Sequence, residues 1–340
     1  MKTYVRPLVL TGPERPDEAL PLAGGALLFD RVEILSRNAA PRVIPAQDAP
    51  ADVLERLTAP RPPVAGLDMG RISLMGILNV TPDSFTDGGR HNAPQAALAH
   101  ARQMQAEGAD IIDVGGESTR PGALAVPPDE EIARTAPVIA ALRAAGLARP
   151  VSIDTRKTAV ARAAVEAGAD LVNDVSGFTF DPDLAGYCAA QDLPVCVMHA
   201  QGDPQTMQAD PRYDDVLLDV YDFLESRILT LEAQGIPRTR IIADPGIGFG
   251  KTQAHNLALL ARIGLFHALG CPVLLGASRK KFIATLGKAP DVADRVHGSV
   301  AVALAAAAQG VQIIRVHDVF ATRSALTLWQ AATRGPTDDT

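Results

Sequence analysis

Asp154, Asn173 and Asp244 stand at the ends of three separate apolar runs, PVSID, DLVND and RIIADP. Two carboxylates and an amide brought to one pocket suit a planar heterocycle rich in hydrogen-bond donors. An exocyclic amino group and the adjacent ring N–H present two parallel donors, which one carboxylate accepts. Asp154 has a second reading, as the N-cap of a helix that starts in TRKTAVARA. Arg315 and His317 alternate along the last apolar run, so both side chains point the same way. Beside Asn79 they suit an oxyanion such as phosphate. The alternative for Arg315 is a buried ion pair with a neighbouring Asp. MGILNVTPDSFTDGG, residues 75–89, begins as a buried strand and breaks at Asn79 into a long polar loop. A loop of that length and polarity on a buried strand is usually there to hold something.

The elements that must position these residues are legible in the rhythm of the chain. Eight apolar runs read as continuously buried strands: 72–80, 109–116, 150–154, 170–174, 193–199, 240–245, 271–278 and 311–318. Helices are expected between and after them, at 93–107, 128–145, 157–167, 182–190, 214–234, 253–268, 291–309 and 319–333. Several end in Gly just before the next strand, as in AEGAD, EAGAD and ALGCP. Eight strand–helix units over about 265 residues match an α/β chain folded as a (β/α)8 TIM barrel. A doubly wound open sheet is the runner-up, but its glycine fingerprint is absent. In a barrel the C-terminal strand ends face one cavity. Polar residues mark all eight of them: Asn79, Asp113, Asp154, Asn173, His199, Asp244, Ser278 with Arg279 and Lys280, and Arg315 with His317.

The 340 residues are 47% hydrophobic and 21% charged, enough apolar material for a large core. A net charge of −7 argues against a general nucleic-acid binder. The three cysteines, 188, 196 and 271, lack CxxC spacing and read as buried hydrophobes in a reducing compartment. No run is long enough to span a bilayer and the N-terminus lacks a secretory pattern, so a soluble, cytoplasmic protein is expected. Residues 1–70, rich in Pro, Ala and charge, are expected to be an extension with weak structure of its own, wrapped on a barrel at 71–335; residues 336–340 form a tail. DPGIGFGKT, 244–252, has Pro245 where a phosphate-binding loop needs its first Gly, so both glycine-rich nucleotide motifs are rejected. Its glycines are expected to let the backbone approach a ligand. His199 in HAQGDPQTMQ has no HExxH or HxH partner, which disfavours zinc.

Taken in order, MGILNVTPDSFTDGG, DIIDVGGESTRPGA, SIDTRK, VNDVSG, VMHAQGDPQTMQ, ADPGIGFGKT, GASRKKFI and IRVHDV resemble the dihydropteroate synthase family, the folate-pathway transferases inhibited by sulfonamides. The resemblance implies condensation of 6-hydroxymethyl-7,8-dihydropterin diphosphate with 4-aminobenzoate, by SN1-like substitution, in a homodimeric enzyme that uses Mg²⁺. By motif, Asp154, Asn173, Asp244 and Lys280 would bind the pterin. Asn79, Arg315 and His317 would hold the diphosphate, with Asn79 at the metal. Phe85, Ser118, Thr119, Pro121, Phe249 and Lys281 would shape the aminobenzoate pocket and its loops. The catalytic set would be Asp87, Arg120, Lys280, Arg315 and His317. Lys281 departs from the Ser common there, which leaves its ammonium or its backbone N–H to meet the aminobenzoate carboxylate. HGSVAVALAAAAQG, 297–310, is a small-residue helix suited to a partner or to the barrel itself. The rivals are a methyltetrahydrofolate-binding methyltransferase domain, which has no need of the diphosphate set, a non-catalytic pterin-binding relative and a bare structural barrel.

Overall fold

A computed structural model describes residues 2–13, 15–81, 93–118, 122–203 and 206–334. Eight parallel strands form one sheet: β5 (Ser73–Asn79), β6 (Ile111–Gly115), β7 (Val151–Asp154), β8 (Leu171–Asp174), β9 (Val195–Met198), β10 (Ile241–Asp244), β11 (Leu274–Leu275) and β12 (Ile313–Val316). Their spatial order is β10-β9-β8-β7-β6-β5-β12-β11, and a parallel bridge from Ala243 to Val273 closes the ring. The open-sheet alternative is thereby excluded. Helices α2 (Ala93–Ala106), α3 (Pro128–Ala144), α4 (Thr158–Glu166), α5 (Leu184–Ala190), α6 (Val216–Ala233), α7 (Gln253–Ala261), α8 (Lys281–Leu286), α9 (Val296–Ala307) and α10 (Val319–Arg334) follow the strands. Several boundaries differ from expectation: the strand read as 271–278 is only Leu274–Leu275, and the helix read as 291–309 starts at Val296. The helix read as 253–268 leaves helical geometry at Arg262 and continues as a fully buried 3-10 segment, Ile263–Leu269. The short α8 was hidden in a stretch read as loop.

The barrel interior explains why the polar residues converge. Met75, Ile111, Leu171, Cys196, Ile242, Leu274 and Ile313 form one buried cluster inside the ring. Side chains alternate along a strand, so the residue two further on points inward one layer higher. That rule places Asp113 above Ile111, Asn173 above Leu171, Asp244 above Ile242 and Arg315 above Ile313. Val64, Leu67 and Met69 belong to the same cluster, so residues just before β5 help fill the barrel core.

Residues 1–70 correct the expectation of weak structure. Strands β1 (Tyr4–Leu10), β2 (Leu20–Pro21), β3 (Leu28–Ser36) and β4 (Ala39–Pro45) make an antiparallel sheet, followed by helix α1 (Ala51–Thr58). Pro7, Pro41 and Pro45, which argued against strands, lie on β1 and β4, the outer strands, where a missing N–H is tolerated. Phe29, Val32 and Leu57 are fully buried in the cluster that also holds Tyr221 and Phe266 of the barrel layer. The Tyr4 ring meets Tyr221 edge-on at 5.3 Å.

Candidate active site

Across four adjacent strands the parallel register sets Asn79 beside Gly115, Gly115 beside Asp154, and Asp154 beside Asn173. These inward positions share one rung at the C-terminal mouth. Gly115 keeps the rung open: a Cβ there would stand 3.8 Å from both Asn79 Oδ1 and Asp154 Oδ2. Arg315 crosses this space. Its Nε donates to Asp113 Oδ2 at 2.6 Å and its Nη2 to Asp154 Oδ2 at 2.8 Å. Asp154 therefore does not cap a helix; the N-cap of α4 is Lys157, without a side-chain cap bond. The ion-pair alternative for Arg315 is observed, and it holds the guanidinium at the mouth.

Burial pushes the Asp154 carboxyl up to about 7, against the attraction of Arg315, and the Asp113 charge adds to the push. Two carboxylates sharing one guanidinium leave an excess negative charge in a poorly solvated place, so a proton is readily retained. Burial also raises Asp244 to about 6, opposed by the hydrogen bond from Gly246 N and by the charges of Lys280, Lys251 and Arg315. Asn173 is buried and donates to Asp113 Oδ2 at 3.4 Å. His317 sits with Nδ1 3.0 Å from Ser278 Oγ, which fixes its ring. Lys280 Nζ lies 4.0 Å over the Phe249 ring, a cation–π contact that joins the β11 and β10 loops. Lys281 opens α8 with its side chain exposed, and Ser118 is half-buried beyond β6. Phe85, Asp87, Thr119, Arg120 and Pro121 lie outside the described residues.

Two residues carry more than their motifs suggested. Asp113 is completely buried, its Oδ2 takes the bond from Arg315, and its Oδ1 has no partner among the described residues. Its signal was the two-residue spacing after Ile111. Lys251, set aside with the rejected phosphate motif, is buried and donates to His199 Nδ1 at 2.8 Å and to the carbonyls of Gly246 and Phe249 at 2.9 and 3.0 Å. With the His199 carbonyl at 3.3 Å as well, all three donors of the ammonium are satisfied. Burial still pulls Lys251 down to about 7, and burial with the Lys251 charge holds His199 well below its usual value. The glycines of DPGIGFGKT also have a structural part. At Gly246 and Gly250, both at positive φ, an added Cβ would strike the backbone carbonyls of His199 and Gln201. They let two loops touch each other.

Among the described residues no group of three His, Cys, Asp or Glu is arranged to hold a metal. The Asn79 side-chain oxygen at the mouth is the donor type Mg²⁺ takes, and that ion commonly uses one or two protein oxygens with substrate phosphates and water. The donor set thus fits an ion carried in with a diphosphate, rather than a resident metal cage.

The pterin binding enzyme family matches residues 75–317. A dihydropteroate synthase of Neisseria meningitidis serogroup B is 48% identical over 271 residues, 78% of this chain and 94% of that protein. The chain belongs to the dihydropteroate synthase family. A Xanthomonas albilineans dihydropteroate synthase solved with 4-aminobenzoic acid superposes with a TM-score of 0.75 at 48% identity, covering 80% of this chain and 97% of that one. The enzyme of the same organism solved with 7,8-dihydropteroate gives 0.72 at 45% identity, covering 79% and 97%. The family match begins after the N-terminal sheet, so the family's shared region is the barrel with its mouth.

Proposed function

We infer that this chain is a transferase that condenses 6-hydroxymethyl-7,8-dihydropterin diphosphate with 4-aminobenzoate, giving 7,8-dihydropteroate and pyrophosphate in folate biosynthesis. The observation that carries the reading is Arg315, held between Asp113 and Asp154 at the barrel mouth in a member of this family. One guanidinium there borders a carboxylate suited to the pterin donors and itself supplies the cationic N–H donors suited to a diphosphate.

In this reading Asp244, Asn173 and Asp154 accept and donate along the pterin edge, and Lys280 closes the pocket from the β11 loop. Arg315 and His317 face the diphosphate, and Asn79 contributes the protein oxygen for Mg²⁺. When bound, that ion neutralises charge on the leaving group. As the C–O bond lengthens, negative charge grows on the diphosphate and Arg315 and His317 stabilise it, while positive charge spreads into the pterin. The aniline nitrogen is unprotonated at neutral pH and attacks without a dedicated base. Phe249, packed on Lys280, Ser118 and the exposed Lys281 border the aminobenzoate side, where charge on Lys281 attracts a carboxylate. The roles of Phe85, Asp87, Thr119, Arg120 and Pro121 rest on motif alone. Exposed Phe320 and Leu328 on α10, beside the small-residue α9, support a homodimer. Sedimentation of Leu328→Glu as a monomer, against a dimeric wild type, is the check.

The decisive assay is pyrophosphate release from the pterin diphosphate, Mg²⁺ and 4-aminobenzoate, with and without Arg315→Ala. Dihydropteroate from the wild type and a loss of at least about 100-fold in the variant are expected, the scale of removing one charge-stabilising group. Pterin binding without turnover would favour a non-catalytic relative.

A further inference from the structure

We propose that Arg37, in the β3–β4 turn of the N-terminal sheet, is a positioning residue for the aminobenzoate side of the active site; the proposal rests on the synthase reading above. A continuous run of hydrogen bonds joins the two places. Arg37 Nη1 donates to Asp219 Oδ1 on α6 at 2.6 Å. The other oxygen of Asp219 accepts from the backbone N–H groups of Asp214 and Asp215 at 3.0 and 3.2 Å. That carboxylate therefore orders the end of the β9–α6 loop, next to Tyr213. Tyr213 OH donates to the Gly250 carbonyl at 2.7 Å. From the same loop Gln208 Nε2 donates to the Gly248 carbonyl at 2.5 Å, and Gln201 is tied to the Arg212 backbone through both its amide atoms. Gly248 and Gly250 flank Phe249, whose ring carries the Lys280 ammonium.

The link to the loop is polar. A cavity of about 290 Å³ separates Leu35, Ser36 and Ala39 of the hairpin from Leu217 and Leu218 of α6. Leu35, Leu217 and Leu218 around it still belong to the shared core, so apolar packing holds the sheet on α6 while the Arg37 ion pairs reach Asp219 and fix the position of the loop end. Arg37 Nη2 also reaches Asp222 Oδ2 at 2.6 Å, and Asp222 accepts from Lys2 and Tyr4 as well. Lys2 thus joins the same two elements but does not touch Asp219, which makes it the natural control. The sheet precedes the region that the family matches, so this support is an addition to the shared barrel.

The test is steady-state turnover of the full chain with the pterin diphosphate and Mg²⁺ fixed and 4-aminobenzoate varied, with thermal melts of the same samples. Arg37→Ala is expected to raise KM for 4-aminobenzoate about fivefold with kcat within about twofold, within the range of effects transmitted along packed networks. Tyr213→Phe should raise the same KM, and the double variant should exceed either single one by little, because both act on one path. Lys2→Ala should lower the melting temperature without moving KM. An unchanged KM in Arg37→Ala and Tyr213→Phe, whatever the melts show, overturns the proposal. So does an equal KM rise in Lys2→Ala, which would mark general loosening. If Arg37→Ala does not fold, Tyr213→Phe together with Asp219→Asn decides by the same readout. A wild type that binds but does not turn over overturns the synthase reading and this proposal with it, whereas normal wild-type turnover with unchanged variants overturns this proposal alone.

Discussion

Asp244 shows how burial turns a carboxylate into a sensor of its ligand. Burial pushes its carboxyl up to about 6 from the ordinary aspartate value of 3.8. Only the ionised form accepts two parallel donors, so pterin affinity should rise as pH passes upward through 6. Calorimetric titration across that range checks this, and Asp244→Asn should bind weakly and lose the part of the slope near 6, keeping only the part that Asp154, pushed up to about 7, contributes. The same shift has a stability consequence. A carboxyl whose pKa is raised by folding binds more protons in the folded chain, so its contribution is present below 3.8 and is lost as pH rises through 6. Relative to wild type, Asp244→Asn should therefore gain stability between about pH 4 and 6, read as a melting difference at each pH. Arg315 carries the opposite lesson. Removing it strands the fully buried Asp113 charge and leaves Asp154 uncompensated. Arg315→Ala should cost about 3 kcal/mol in denaturant unfolding, the scale of breaking a buried pair, on top of its kinetic defect. Adding Asp113→Asn should recover part of that stability without restoring turnover.

At the scale of elements, the β10 loop meets the β9 loop closely because Gly246 and Gly250 bring no side chain to the contact. Gly246 sits at φ 66° with the His199 carbonyl where a Cβ would go. Gly246→Ala should cost at least about 2 kcal/mol from the left-handed backbone and the clash together. It should also weaken pterin binding, since Gly246 N donates to Asp244 Oδ1 at 2.8 Å. The start of α6 is a second such point. Asp215 caps it by accepting from Leu217 N and Leu218 N, and Asp215→Ala should cost about 1 kcal/mol in the same unfolding measurement.

At the scale of the molecule, the N-terminal sheet and the barrel layer share one hydrophobic cluster. Ile263–Leu269 is buried along its whole length because β1 and α1 cover it. Deleting residues 1–58 would uncover that apolar segment, and the truncated chain is expected to aggregate on expression. Asp222 adds a polar seam to the same boundary. Burial works to raise its pKa, yet hydrogen bonds from Lys2, Arg37 and Tyr4 prevail and hold it low. The seam should therefore weaken as acid protonates Asp222. No helix among the described residues is long and apolar enough to cross a membrane.

The barrel was legible in the sequence because its signal is local and repeated: eight buried runs, each followed by a helical period, with a polar residue closing every run. The convergence of the mouth residues was legible for the same reason, since period-two alternation carries Asn173, Asp244 and Arg315 to one mouth from far apart in the chain. Tertiary structure alone decided the partners. Whether Asp154 capped a helix or met Arg315 depended on strands 161 residues apart, and a single strand end cannot express that. The N-terminal sheet escaped reading because its prolines look like breakers until the strand order places them on edges. Lys251 escaped because its acceptors are three backbone carbonyls and a ring nitrogen, brought together only by the meeting of two loops. Sequence determines which groups line the mouth, through periodicity; which of them touch is set by register and loop contact, which are long-range by nature.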